Sequence, residues 1–195
     1  MKLPEIIIDA VIRILLMRTF VAVEISDDKI LDAIVKIQSE FKIKATAVNK
    51  KNMHFTLLFL GEITEEVASS VRQALSTVVF KPIEVKFTHV GAFPNPRSPR
   101  VIWIGVDETS SKQLVELALQ VEKKLGPLGF KSDKPFKAHL TIFRIKNRAD
   151  DISHTIEKFK KIDLGKYTMT ELKFKQSILT PNGPIYSDLQ VVLAQ

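Results

Sequence analysis

The sequence predicts an α+β fold with two largely antiparallel sheets, and three observations point there. Short β-rich segments alternate with amphipathic helical segments over residues 18–195. Neighbouring strands are often close enough in sequence to form hairpins. One tetrapeptide pattern, His-apolar-Thr-apolar, also recurs in a strand of each half.

Residues 19–25 (TFVAVEI) read as a strand. Ser26 is placed to cap a helix over 27–41, in which Ile30, Ile34, Ile37 and Phe41 form an apolar stripe while Asp28, Asp32 and Lys36 face water. Residues 53–60 (MHFTLLFL), ended by Gly61, read as a buried strand. Thr64 then caps a second helix whose inner side carries Val67, Val71, Ala74, Leu75 and Val78. Strands are expected over 83–90 and 101–106, on either side of the proline-rich loop 93–100. A third helix over 110–125 turns Leu114, Leu117, Ala118, Val121 and Leu125 inward and stops at Gly126-Pro127. Residues 138–145 (AHLTIFRI) form the next strand, and a fourth helix carries Ile152, Ile156, Phe159 and Ile162. Strands over 168–179 and 185–193 flank the turn Pro181-Asn182-Gly183-Pro184.

Composition narrows the chemistry. The 195 residues are 45% hydrophobic and 26% charged, which excludes intrinsic disorder and a coiled coil. Absence of cysteine removes disulfides, thiol nucleophiles, iron–sulfur clusters and cysteine-based zinc sites together. The excess of 29 Lys+Arg over 22 Asp+Glu, formally +7, favours an anionic partner. The Ile- and Leu-rich stretch 6–16 is interrupted by Asp9 and Arg13 and is shorter than the roughly 20 apolar residues of a membrane span. With Glu5 and Asp9 inside the run, it does not read as a signal peptide either. A short amphipathic helix fits the spacing, but the reading adopted for residues 1–16 is an N-terminal extension or misassigned start ahead of Met17.

His54-Phe55-Thr56-Leu57 and His139-Leu140-Thr141-Ile142 lie 85 residues apart, each within a predicted strand. Successive side chains of a strand alternate faces, so each motif presents an imidazole beside a hydroxyl on one face and anchors itself by apolar residues on the other. If the two faces oppose one another, the resulting cleft holds two imidazoles and two hydroxyls. That set suits phosphate-ester chemistry: one imidazole takes a proton from water, the other gives one to the leaving oxygen, and the hydroxyls bind non-bridging oxygens. No metal or nucleotide cofactor is required. The remaining histidines, His89 and His154, are read as surface or capping residues. A zinc site at His54 and His139 is disfavoured, because neither motif offers further ligands at helical spacing.

The pair HFTL and HLTI resembles the two-histidine (2H) phosphoesterase superfamily, in its RNA 2′,3′-cyclic phosphodiesterase or 2′-5′ RNA ligase branch. The supporting segments run in order: 17–23 (MRTFVAV), 52–62 (NMHFTLLFLGE), 91–106 (GAFPNPRSPRVIWIGV), 128–144 (LGFKSDKPFKAHLTIFR) and 177–186 (SILTPNGPIY). The resemblance implies that residues 17–195 form a single bilobal 2H phosphoesterase domain, each lobe giving one His-x-Thr strand to a central groove. It implies hydrolysis of RNA 2′,3′-cyclic phosphate ends to 2′-phosphomonoesters, with 2′-5′ joining of tRNA halves as a related reaction. By the same resemblance His54 is the general acid, His139 the general base, and Thr56 and Thr141 phosphate ligands. Phe20 and Tyr186 are placed to stack on a terminal base, and Arg144 to contact phosphate or base. Arg144 lies five residues beyond His139, the wrong parity for an ideal strand, so a bulge, a strand end or its own reach is needed. Arg97 and Arg100 in the proline-rich loop are candidate RNA contacts, and Arg100 is kept as the substrate-binding one. Of the lysine clusters, Lys131, Lys134 and Lys137 directly precede His139 and are best placed to steer RNA.

No ATP site is expected: Gly165-Lys166-Tyr167-Thr168 only imitates the end of a phosphate-binding loop. The expected protein is a cytoplasmic monomer with RNA as partner and no membrane. Two other functions stay open: a phosphodiesterase for a small cyclic phosphate of the ADP-ribose type, and a non-catalytic RNA-binding module.

Overall fold

In the computed structural model, residues 16–146 and 150–195 are described, so nearly all of the proposed N-terminal extension lies outside the described residues. Strand β1 (Met17–Glu24) is rich in β-branched and aromatic residues and buries Phe20, Val21, Ala22 and Val23 on both of its faces. Burial on both faces marks an interior strand. It pairs antiparallel with β3 (His54–Ile63) and β8 (Glu171–Thr180), and β8 pairs with β9 (Gly183–Leu193), giving the sheet order β3-β1-β8-β9.

The second sheet has the order β2-β6-β5-β4-β7, again with antiparallel neighbours. Its strands are β2 (Thr46–Ala47), β4 (Ile83–Phe93), β5 (Val101–Val106), β6 (His139–Arg144) and β7 (Lys166–Met169). Among the described residues the four α-helices are α1 (Asp28–Ser39), α2 (Glu65–Leu75), α3 (Glu108–Leu125) and the single turn α4 (Ser153–Glu157). Helix α1 packs on β6, α2 on β9, and α3 on both β3 and β4. One core joins the sheets, and the fully buried rings of Phe55 and Phe87 stack across it at 6.3 Å.

The α+β expectation and the two antiparallel sheets are observed. Several local readings change. Asp27, not Ser26, caps α1: its carboxylate accepts from the Ile30 N–H at 2.9 Å. A cap side chain reaches the N–H three residues on, here Ile30 from Asp27, and Ser26 turns instead to the Tyr167 hydroxyl at 2.7 Å. Thr64 caps α2 as expected, and Asp107 caps α3. The expected strand 168–179 is two strands, because the chain passes from one sheet to the other at Thr170 while the period-2 pattern continues. The fourth helix is short. Beyond it, Phe159 accepts from Val90 N–H at 3.0 Å and Ile162 donates to Thr88 at 2.9 Å, so the apolar spacing serves the edge of β4. His154 is exposed, and His89 is half-buried, its ring covering Gly105 in the space a Cβ would occupy. The two-residue strand β2 has no periodicity for a sequence reading to detect.

Candidate active site

Each His-x-Thr motif opens a strand, β3 at His54 and β6 at His139. In both, the alternation holds for four residues: His54 and Thr56 are half-buried while Phe55 and Leu57 are buried, and His139 and Thr141 are half-buried while Leu140 and Ile142 are buried. Each strand then bulges. Against β1 the partner of Val21 is Leu58 and that of Ala22 is Thr56, so Leu57 is the extra residue. Against β5 the partner of Ile102 is Phe143 and that of Trp103 is Thr141, so Ile142 is the extra residue. An extra residue reverses the parity of everything after it. Phe59 and Arg144, both five residues past a motif histidine, therefore return to the groove face. The bulge that Arg144 required is present in both halves.

His54, Thr56, His139, Thr141, Arg144 and Tyr186 line one cavity of about 450 Å³ between the sheets. The two imidazoles are held in the same way. His54 Nδ1 lies 2.8 Å from the Asn52 carbonyl, and His139 Nδ1 lies 2.7 Å from the Lys137 carbonyl, each two residues back. A carbonyl only accepts, so both Nδ1 atoms carry hydrogen and both Nε2 atoms are left for a ligand. Aromatic rings flank each imidazole: Phe20 at 5.0 Å and Tyr186 at 5.4 Å from His54, Phe93 at 5.1 Å and Trp103 at 6.4 Å from His139.

This packing favours neutral imidazoles. Burial pushes His54 down to about 4, against the smaller opposing effects of the Asn52 carbonyl and the Glu24 carboxylate. Burial also lowers His139, partly offset by the Lys137 carbonyl, with Arg144 lowering it further. Beside His54, Glu24 belongs to a network on the same sheet. Lys175, 3% exposed, reaches Glu24 at 2.5 Å and also pairs with Asp188, and Lys173 joins the same two carboxylates at 2.7 and 3.1 Å.

Phe20 does not line the cavity. It is 3% exposed, covered by His54, Phe59 and Tyr186, and acts as packing beneath the imidazole instead of a base platform. Arg100 lies outside this cavity and lines a neighbouring one with Lys131, Lys134 and Lys137, while Arg97 is exposed and lines neither. Gly165 ends an irregular stretch and Lys166, Tyr167 and Thr168 begin β7, with Lys166 paired to Glu84 at 2.7 Å. Asn49, Asn52 and Asn182, for which the sequence suggested no role, also line the histidine cavity, as does Lys51 of the Lys50-Lys51 pair that reads as a solvated face. Asn52 carried the clearest signal, two residues before a motif histidine. Among the described residues no cluster of three or more His, Asp or Glu is placed to hold a metal ion, and no helix is long and apolar enough to cross a membrane.

Comparison with known proteins gives a twofold match. The pattern of the family described as LigT like Phosphoesterase fits residues 23–103 and again residues 104–186, one match for each motif histidine. The chain belongs to the LigT-like phosphoesterases. It is 46% identical over 177 residues to the RNA 2′,3′-cyclic phosphodiesterase of Archaeoglobus fulgidus, covering 90% of this chain and 99% of that one. It is 39% identical to the protein of the same name from Methanocaldococcus jannaschii, covering 87% and 96%. Among solved structures, TT0787 of Thermus thermophilus superposes with a TM-score of 0.73 at 26% identity, covering 91% of this chain and 97% of that one. Escherichia coli LigT in its apo form gives 0.75 at 20% identity over 92% and 99%, a likeness of fold. This LigT-like phosphoesterase is thus an enzyme of two related halves, each supplying one His-x-Thr strand.

Proposed function

We propose that this phosphoesterase hydrolyses 2′,3′-cyclic phosphates at RNA 3′ ends to 2′-phosphomonoesters, using paired imidazoles and no metal, as a cytoplasmic monomer. The observation that carries the reading is the matched pair of Nδ1–H···O=C contacts, which leaves two Nε2 atoms for one ligand in one cavity. The names of the Archaeoglobus and Methanocaldococcus relatives support RNA as the substrate class.

The terminal nucleotide occupies the histidine cavity. Thr56, Thr141 and Arg144 hold the non-bridging oxygens, and Tyr186 stacks on the base. His139 Nε2 takes a proton from water as the water oxygen bonds to phosphorus. The bond from phosphorus to O3′ breaks, and His54 Nε2–H gives its proton to O3′. The product carries a 2′-phosphate and a 3′-hydroxyl, and solvent exchange resets the two imidazoles. Glu24 faces His54 across the β1–β3 pair and favours its charged form once an anionic phosphate offsets burial. An RNA 5′-hydroxyl in place of water yields a 2′-5′ linkage by the same proton transfers, which accounts for joining of RNA ends such as tRNA halves.

The test is an oligoribonucleotide ending in a 2′,3′-cyclic phosphate, incubated in EDTA with the wild type, His54→Ala and His139→Ala. Turnover by the wild type and a loss of about 10²-fold or more in each variant is expected. Inactivity in EDTA would remove the metal-free mechanism, and full activity of either variant would remove that histidine from the pair. Binding of RNA without turnover by the wild type would point to a non-catalytic module. Turnover of a small cyclic phosphate alone would point to the ADP-ribose type of substrate.

A further inference from the structure

A second cavity of about 950 Å³ adjoins the first and shares Thr56, Phe59 and His139 with it. The mechanism above uses nothing else in its wall. That wall combines two kinds of group. Arg100, Lys131, Lys134 and Lys137 supply four cations against the single carboxylate of Asp133. Phe59, Phe93 and Phe136 supply ring surface, and Phe59 is 60% exposed, far from the usual state of a strand phenylalanine. The bulge at Leu57 turns Phe59 to this face. Lys137 Nζ sits 5.8 Å from the Phe93 ring.

The loop that carries the lysines is held in place. Ser132 N–H donates to Glu122 of α3 at 3.1 Å, and Ser132 Oγ donates to the Lys134 carbonyl at 2.6 Å. Arg100 is fixed too, donating to the Lys146 carbonyl at 2.8 Å. The basic wall is therefore built before any ligand arrives, which lowers the entropy cost of binding. Cations in a groove beside exposed rings match the chemistry of single-stranded nucleic acid, with phosphodiesters on the cations and bases on the rings.

We propose that this cavity is a strand subsite that holds the nucleotides 5′ to the reactive end of the same RNA. The inference rests on the hydrolase reading above. A cavity of about 450 Å³ suits one nucleotide. The rest of the chain must leave it, and the shared wall at Thr56, Phe59 and His139 opens on the cavity lined by Arg100, Lys131, Lys134 and Lys137. The enzyme then selects oligonucleotides over cyclic mononucleotides through groups that never touch the reacting phosphate.

The experiment compares a nucleoside 2′,3′-cyclic monophosphate with a trinucleotide ending in the same cyclic nucleotide, in the wild type and in Lys131→Glu/Lys134→Glu. The wild type should prefer the trinucleotide by about tenfold or more in kcat/KM, and the double variant should lose most of that preference. Its salt dependence for the trinucleotide should also flatten, as phosphate contacts are removed. A wild-type preference near one, or an unchanged preference in the variant, overturns the subsite. A 5′-hydroxyl trinucleotide without a cyclic end, added to the mononucleotide reaction, tests the other source of RNA. Formation of a joined product that the double variant cannot make would assign the cavity to a second strand and overturn the proposal. Binding of a trinucleotide with an unreactive 3′ phosphate, read by fluorescence anisotropy, is independent of turnover. Binding weakened about tenfold by the double variant in an enzyme inert on cyclic ends would sink the hydrolase reading and support the subsite. Binding that the variant leaves unchanged would sink the subsite alone.

Discussion

Gln38 of α1 donates its side-chain amide to the Ile142 carbonyl at 2.8 Å and to the Val48 carbonyl at 3.0 Å. Ile142 is the extra residue of the β6 bulge, and its carbonyl also accepts the Val48 N–H at 2.9 Å. The helix behind the strand thus pins the irregularity that turns Arg144 into the cavity.

Replacement of Gln38 by Leu leaves part of this polar cluster unsatisfied, at a cost of about 1–3 kcal/mol. Turnover should fall about tenfold through Arg144. In an Arg144→Ala background the same replacement should cost little further activity, as expected of coupled residues. Steady-state kinetics of the four proteins checks this, with thermal melts recording the stability change separately. Equal losses in both backgrounds would sever the link between Gln38 and Arg144.

The lowered imidazoles set the pH dependence. In the free enzyme His54 titrates near 4 and His139 below 6.5, so kcat/KM should peak on the acid side of 6.5. A bound phosphate anion favours both charged forms, so the kcat profile should lie at higher pH. Stability follows by linkage. Between about 6.5 and about 4 the unfolded chain binds the His54 proton that the folded chain refuses, so the His54 contribution to stability is lost as pH falls through that window. Rate profiles and denaturant melts from pH 4 to 8 test both points, and identical kcat and kcat/KM profiles would contradict the first.

Lys175 is buried between Glu24 and Asp188. Replacement by Met leaves Lys173 alone to balance the two partly exposed carboxylates, and a loss of about 1–3 kcal/mol is expected in denaturant unfolding. Lys175 also lowers His54 while Glu24 raises it, so the variant should move His54 upward, as read by an NMR titration of the imidazole. A downward move would overturn this assignment of signs.

Gly105 pairs with His139 across β5 and β6 and lies under the His89 ring, with no room for a Cβ. Gly105→Ala should cost about 1–3 kcal/mol, the usual range for overpacking. His89→Ala should restore part of it by emptying the space, and the pair of melting curves tests the contact.

Much of the site was legible because its chemistry lies in short motifs of fixed parity. His54 and Thr56 share a face, as do His139 and Thr141, for reasons contained in four consecutive residues. Arg144 was harder, since its spacing needs a bulge, a strand end or its own reach, and the register at Ile142 supplies the bulge. Phe20 has groove parity, yet His54, Phe59 and Tyr186 close over it, and strand parity contains no information about what covers a side chain. The cap at Asp27 was missed because Ser26 and Asp27 both satisfy the local rule and only the partner found in space chooses between them, and the sheet switch at Thr170 because the period-2 pattern runs through it unbroken.

The sequence by itself determined the α+β alternation, the absence of thiol chemistry, the cationic balance and the paired His-x-Thr strands. These are local in the chain or summed over it. The tertiary structure decided the rest: two halves facing one cavity, imidazoles pressed toward neutrality by aromatic neighbours, and Phe59 and Arg144 turned inward by matching bulges. Each of these depends on contacts between residues far apart in sequence, and burial and register exist only once those residues meet.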